Sequence, residues 1–350
     1  MMYKLNKKLS ATIAMASLLA LSACSNQEAA TNSDEVITLR FSHFMTLNDS
    51  MNKEAFEPWA RQVEEDSNGR IKVEIYPSAT LSKPDVTYDA AAKGTIDIGV
   101  QPHGYTSGRF PVSQIAELPG VSESGEQLSC VLHTLYDDGV ISNEYADTHL
   151  LFMMGSGPHG IHTVDTPIRT PADLKGMRIR RTSSVAADML ESVGAVTVGM
   201  PASDTYTSLQ RGVIDGVSLP WQPIQAFRLD ELVNSHTYIP FYNAAFVVTM
   251  NKDKYESLPD DLKKVIDDNS GAQMGIKASQ IFDRVNAEVR QAAVDKGDTM
   301  VEIPDPLNDP AWKAPLEAGM QKYLSSVNVE GVDTQEVYEK AKAAGAACKV

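Results

Sequence analysis

Between Asp173 and Gln222 the chain alternates short strand-like runs with helices closed by glycine, a rhythm that few folds accept. Gly176 ends a helical turn, and Met177 to Arg180 alternate apolar and basic residues as a half-buried strand does. In that alternation Arg178 and Arg180 share one face, while Met177 and Ile179 take the other. Thr182-Ser183-Ser184 caps a helix whose inner stripe is Ala187, Leu190 and Val193, and Gly194 closes it. Val196 to Met200 reads as the next strand. Ser203 caps a second helix that stops at Gly212, and Val213-Ile214 leads into Asp215-Gly216. Strand, helix, strand, helix, strand is a parallel α/β unit, whose ligands gather at the carboxyl ends of its strands. Arg180 lies at such an end.

The chain has 350 residues, enough for two lobes, and 46 acidic against 31 basic side chains. The formal charge of −15 argues against nucleic acid and anionic membrane surfaces as partners, so an anionic ligand needs a local basic site. Lys4 to Ala23 combines a basic start with an apolar run too short to span a bilayer. We read residues 1–23 as a signal peptide; removing Lys4, Lys7 and Lys8 with it takes the charge to −18. Leu21-Ser22-Ala23-Cys24 looks like a lipoprotein cleavage box, which makes Cys24 a lipidated first residue and 24–34 a polar tether. Ordinary cleavage near this point is the alternative, and export follows either way. Cys130 and Cys348 are left, joined as a disulfide or standing as two thiols, since the sequence supplies no distance.

Ile37 to Phe41, the alternating Ile71-Val73-Ile75 run and Ile96 to Val100 read as strands, each followed by a shaped loop. Asp49 or Ser50 caps a helix burying Phe56, Ala60 and Val63. Gly155-Ser156-Gly157-Pro158-His159-Gly160 has dinucleotide-motif spacing, but Pro158 intervenes and Ile161 to Val164 continues as a strand rather than opening a helix. A flexible crossing between lobes is the better expectation. His159 and His162, three apart on extended chain, face opposite sides and do not chelate together; with no metal motif we expect neither metal nor cofactor. From Leu258 to Lys296 the apolar spacing predicts a long helical region.

The segment from Leu174 to Arg180, then Gly194-Ala195, Leu209-Gln210-Arg211-Gly212 and Val213-Ile214-Asp215-Gly216, resembles the solute-binding proteins of TRAP transporters (tripartite ATP-independent periplasmic uptake systems). The resemblance continues through Phe41-Ser42-His43-Phe44, Ile75-Tyr76-Pro77, Gly94 to Gly99, Glu117-Leu118-Pro119, Met250-Asn251 and Leu258-Pro259. It implies a two-lobed α/β periplasmic-binding fold, class II-like, with mixed sheets flanked by helices and a long helix across both lobes. Residues 35–157 with 246–287 then form one lobe, and 158–245 with 288–350 the other.

In that family an Arg at the position of Arg180 grips the carboxylate of an organic acid, a task that suits a planar fork better than a lysine. The resemblance alone chooses Arg180 over Arg178, for which, as for Arg181, a salt bridge or solvated position is expected. On the same basis Phe44, Gln101 and Tyr105 line the cleft from the first lobe, with plain core packing the alternative for Phe44. Trp221 is a candidate stacking wall, with core packing its equal alternative. His43, His159, Phe241 and Asn243 complete the candidate set. Relatives that bind sialic acid carry a further Arg where this chain has Gly160, and Leu219 stands where many place an amide or acid. These departures favour a monocarboxylate with an apolar or aromatic body over a C4-dicarboxylate. The implied partners are the small and large permease subunits, with the binding protein a monomer. An exported enzyme or a receptor-docking sensor on the same fold are the other readings; no nucleophile motif supports the enzyme, although His43, His103 and His159 fall near the cleft.

Overall fold

The computed structural model describes residues 36–348, so the signal peptide, the tether and Cys24 lie outside the described residues. The strands in chain order are β1 (Ile37–Ser42), β2 (Ile71–Tyr76), β3 (Ile98–Pro102), β4 (Thr148–Pro158), β5 (Gly160–Thr163) and β6 (Arg178–Arg181). They continue with β7 (Val196–Gly199), β8 (Gly216–Leu219), β9 (Ser235–Tyr238), β10 (Asn243–Asn251) and β11 (Thr299–Glu302). Two mixed sheets result, one ordered β2-β1-β3-β10-β4 and the other β11-β9-β5-β8-β6-β7. The parallel unit read from Asp173 to Gln222 is the β8-β6-β7 end of the second sheet. Ser183 caps the helix Ser184–Ser192 by accepting from Ala186, and Gly194 leaves it at φ +94°, a conformation glycine adopts at little cost.

β1 and β3 pair in parallel, so their carboxyl ends open on the same edge of the first sheet. That edge faces the carboxyl ends of β6 and β8. The connections keep the two sheets together. β4 runs to Pro158 and β5 starts at Gly160, and β4 pairs with β10 up to Pro158–Asn243. The Gly155–Gly160 crossing, expected as a flexible loop from its glycines, is strand to Pro158 and again from Gly160, with Pro158 half-buried and the rest buried. Gly155 packs so closely on the helix Gly125–Asp137 that a Cβ there would lie 2.5 Å from the Gly125 carbonyl oxygen.

The long helical region divides into Asp260–Asp268 and Gly271–Lys296. At the break, the Asn269 carbonyl accepts from Trp59 Nε1 at 2.8 Å instead of continuing the helical ladder. Gly271–Lys296 spans both halves: Ala278 and Phe282 belong to the core of the first sheet, Val285 and Val289 to that of the second. Asn286 near its middle donates to the Ser156 carbonyl and accepts from the Gln222 backbone. Cys130 on the helix Gly125–Asp137 is bonded to Cys348, just past the helix Thr334–Ala347. The open question about the two thiols is settled as a disulfide closing a separation of 218 residues.

Candidate functional site

Arg180, near the carboxyl end of β6, is 0% exposed. Its Nε donates to the Met200 carbonyl at 3.0 Å, one terminal nitrogen to Thr182 Oγ1 at 2.8 Å, and the other to the Tyr105 hydroxyl at 3.1 Å. All three partners are neutral. A guanidinium has five N–H donors and keeps its charge in proteins, so one N–H on each terminal nitrogen and the whole positive charge are left over. Arg178, two residues earlier, is neutralised instead: Asp215 accepts from its Nε at 3.0 Å and from a terminal nitrogen at 2.5 Å. That pair holds the Asp215 carboxyl below its ordinary range, chiefly through the hydrogen bond itself. Both arginines share a strand face, but only Arg180 reaches the space between the sheets.

Tyr105, past the end of β3, ties the halves together. Its hydroxyl accepts from Arg180 and, at 2.9 Å, from the Ala202 backbone, leaving its own proton for a third partner. Phe44, past the end of β1, meets the Tyr105 ring with centroids 5.5 Å apart. Together with Pro102, Leu219, Phe246 and Phe282 these rings wall a cavity that Arg180 enters, with Asp49, Ser156, His159, Thr182 and Gln222 as further polar lining. The space they leave is about 410 Å³, counting the part open to solvent, at the small end of ligand pockets.

His159 belongs to a buried chain of hydrogen bonds. Its Nε2 lies 3.2 Å from Ser156 Oγ and its Nδ1 2.7 Å from the Tyr242 hydroxyl, which meets Ser218 Oγ at 2.9 Å. Ser218 in turn donates to the Gly160 carbonyl at 3.1 Å. One assignment satisfies the chain: Ser156 donates to Nε2, Nδ1–H to Tyr242, and Tyr242 to Ser218. The imidazole is neutral there, because burial first and the Arg180 charge second push its pKa well below the ordinary value.

Of the residues singled out from sequence, Arg180, Phe44, Tyr105 and His159 line the cavity. Five do not. Gln101 is consumed bracing the turn after β3, accepting from the Tyr88 backbone at 2.7 Å and donating to Thr106. His43 faces Asn52 at 2.9 Å among aromatic rings, and burial pushes its pKa down to about 4. Trp221 packs edge-on against His162 and near His236 in the core of the second sheet. Phe241 is core, and Asn243 donates to Ser122 and the Ser124 carbonyl at the start of the helix Gly125–Asp137. On β10 the faces alternate, so Ala244 and Phe246 meet the cavity and Asn243 turns away. His162 is spent on His236, Nδ1 to Nδ1 at 2.8 Å.

Sequence reasoning missed Asp49, Gln222 and Phe282. From its local sequence Asp49 reads only as a helix cap; it does accept from the Met51 backbone at 2.8 Å, but the same Oδ1 also accepts from Gln222 Nε2 at 3.0 Å, across the two halves. Among the described residues no group of three or more His, Cys, Asp or Glu converges as a metal site requires, and no helix is long and apolar enough to cross a membrane.

Residues 41–326 match the family model for bacterial extracellular solute-binding protein, family 7 (DctP). Among solved structures, a marine-metagenome TRAP solute-binding protein specific for aromatic acid ligands, in complex with 3-hydroxybenzoate, is 35% identical with TM-score 0.85, covering 90% of this chain and 100% of its own. A TRAP solute-binding protein from Rhodoferax ferrireducens T118, in complex with copurified benzoate, is 33% identical with TM-score 0.84, covering 89% and 98%. The C4-dicarboxylate-binding periplasmic protein DctP of Rhodobacter capsulatus is 26% identical over 275 residues, 76% of this chain and 80% of that one.

Proposed function

This chain belongs to family 7 of the bacterial extracellular solute-binding proteins, the binding proteins of TRAP transporters, and from that premise we propose that its ligand is a small aromatic monocarboxylate. One observation carries the reading: a fully buried guanidinium with neutral partners and two N–H groups to spare, in a cavity walled by rings. A buried charge without a counter-charge is costly, and a ligand carboxylate supplies that counter-charge with the planar two-point geometry a guanidinium fits. The Tyr105 hydroxyl is placed to donate to the same carboxylate. The similar proteins in complex with 3-hydroxybenzoate and benzoate support the aromatic body.

A C4-dicarboxylate fits less well. Arg180 is the single cationic side chain of the cavity lining, His159 is held neutral, and a second carboxylate would face Asp49. The enzyme reading rests on Ser156 beside His159. An imidazole pushed well down in pKa is a poor base, and its other nitrogen meets a neutral tyrosine rather than a carboxylate. The role we assign is capture and delivery, without turnover.

In this reading 35–157 with 246–287 forms one lobe and 158–245 with 288–350 the other, and they shut on the ligand because Arg180 completes its pairing only when shut. The partners are the small and large permease subunits, the binding protein acts as a monomer outside the cytoplasm, and Cys24 anchors it through lipid. Palmitate labelling of wild type and Cys24→Ser tests the anchor. Calorimetry with benzoate and succinate tests the ligand class. Arg180→Ala should weaken benzoate binding by about 2–5 kcal/mol, roughly 30-fold or more, with Arg180→Lys recovering only part. Unchanged affinity in Arg180→Ala refutes the clamp, and succinate binding tighter than benzoate refutes the monocarboxylate.

A further inference from the structure

Asp49 is an anomaly that carboxylate capture leaves unexplained. Its side chain is 3% exposed and lines the cavity, yet only one of its oxygens is used. Oδ1 accepts from the Met51 backbone at 2.8 Å and from Gln222 at 3.0 Å; Oδ2 is buried with no partner among the described residues. An orphaned carboxylate oxygen at a cavity wall costs more than an apolar residue of the same shape, unless something in the cavity meets it.

The group is also misplaced for the clamp. Arg180 answers to Tyr105, Thr182 and Met200, and Asp49 to Met51 and Gln222, so the two charged residues hold separate points of the lining with no partner in common. A ligand whose carboxylate sits on Arg180 therefore presents some other part of itself to Oδ2.

We infer that Asp49, braced by Gln222, reads a hydroxyl on the ligand, so that the preferred ligands are hydroxylated aromatic carboxylates rather than the unsubstituted acids. This rests on the carboxylate reading of Arg180 and adds the second anchoring point. A hydroxyl fits better than an amine, because it both donates and accepts. Burial raises the Asp49 pKa against the opposing hydrogen bonds from Met51 and Gln222. A hydroxyl meets that carboxyl in either protonation state, donating to the anion or accepting from the acid, whereas an aromatic amine meets only the anion well. Gln222 holds Oδ1 and so leaves Oδ2 as the free acceptor. Because Asp49 precedes the turn Met51–Phe56 and Gln222 follows β8, the contact that aims the carboxyl forms only with the two halves together.

The test is calorimetry with 2-, 3- and 4-hydroxybenzoate, each against the fluorobenzoate of the same position, which is close in size and has no proton to donate. Wild type should bind at least one hydroxy acid about tenfold or more tighter than its fluoro partner. In Asp49→Leu that ratio should fall to about one, whatever the change in affinity for the fluorobenzoate itself. Asp49→Ala, with a smaller side chain, covers the case in which the leucine variant fails to fold: its ratio should fall too, since neither donor nor acceptor is left at that point of the wall. A ratio near one at every position in wild type overturns the inference, as does a preference that survives both substitutions. Those outcomes leave the Arg180 reading standing. Failure of wild type to bind any of the six acids overturns both.

Discussion

Gly104→Ala should separate ligand capture from folding. Gly104 follows β3 on the edge of the first sheet, and its neighbours across the cleft are Thr182 and Ser183, past the end of β6. A Cβ at Gly104 would lie 2.3 Å from Ser183 Cβ, 2.5 Å from Ser183 Cα and 2.6 Å from the Thr182 carbonyl oxygen. Two of those three atoms are backbone, and Ser183 is fixed by capping the helix Ser184–Ser192, so the obstruction does not swing aside. Gly104 is not in the left-handed region, so alanine brings no strain of its own. On the closure proposed above, the clash belongs to the shut arrangement alone. Overpacking of this kind costs about 1–3 kcal/mol, which converts to a rise in Kd of roughly 5- to 150-fold. Calorimetry with 3-hydroxybenzoate measures the affinity, and small-angle scattering measures the compaction on ligand addition, which the variant should lose in part. Thermal unfolding without ligand should be unchanged, because the open protein never makes the contact. Wild-type affinity in Gly104→Ala would refute closure at this contact. A drop of several degrees in the ligand-free Tm would refute it differently, by making Gly104–Ser183 ordinary core.

Two further predictions concern stability. Cys348→Ser should lower the unfolding free energy by about 2–5 kcal/mol in urea titrations, because the bond closes a long loop, while ligand affinity stays at the wild-type level since neither cysteine lines the cavity. Glu117 is fully buried, with Oε1 accepting from the Ala245 backbone at 3.1 Å, and burial raises its pKa from 4.5 to about 8. A carboxyl whose folded pKa lies above its unfolded value binds its proton more tightly in the fold. Its contribution is complete below pH 4.5 and is lost as pH rises through 8. Glu117→Gln should therefore gain stability relative to wild type between pH 5 and pH 8 in paired urea titrations; parallel curves over that range would show that Glu117 is already ionised.

Much of this protein is written in neighbouring residues. The alternation at Met177–Arg180, the serine cap at Ser183 and the glycine at Gly194 depend on contacts a few residues apart, so the β8-β6-β7 unit and the place of Arg180 at a strand end were legible without coordinates. The resemblance to relatives singles out Arg180 over Arg178; in the structure Asp215 stands beside Arg178 and neutralises it, while Arg180 reaches across to Tyr105. Which side chains converge on the cavity was decided by packing. Gln101 and Asn243 carry the right chemistry and sit beside lining residues, yet their amides are consumed by the turn after β3 and by the start of the helix Gly125–Asp137. Asp49 reads as a cap from its local sequence, and becomes a cavity wall only because Gln222, 173 residues further along, is brought against it. Near-neighbour periodicity records which face of an element is apolar. Which faces meet depends on how two sheets and a long helix pack, and residues far apart in the chain leave no local trace of that.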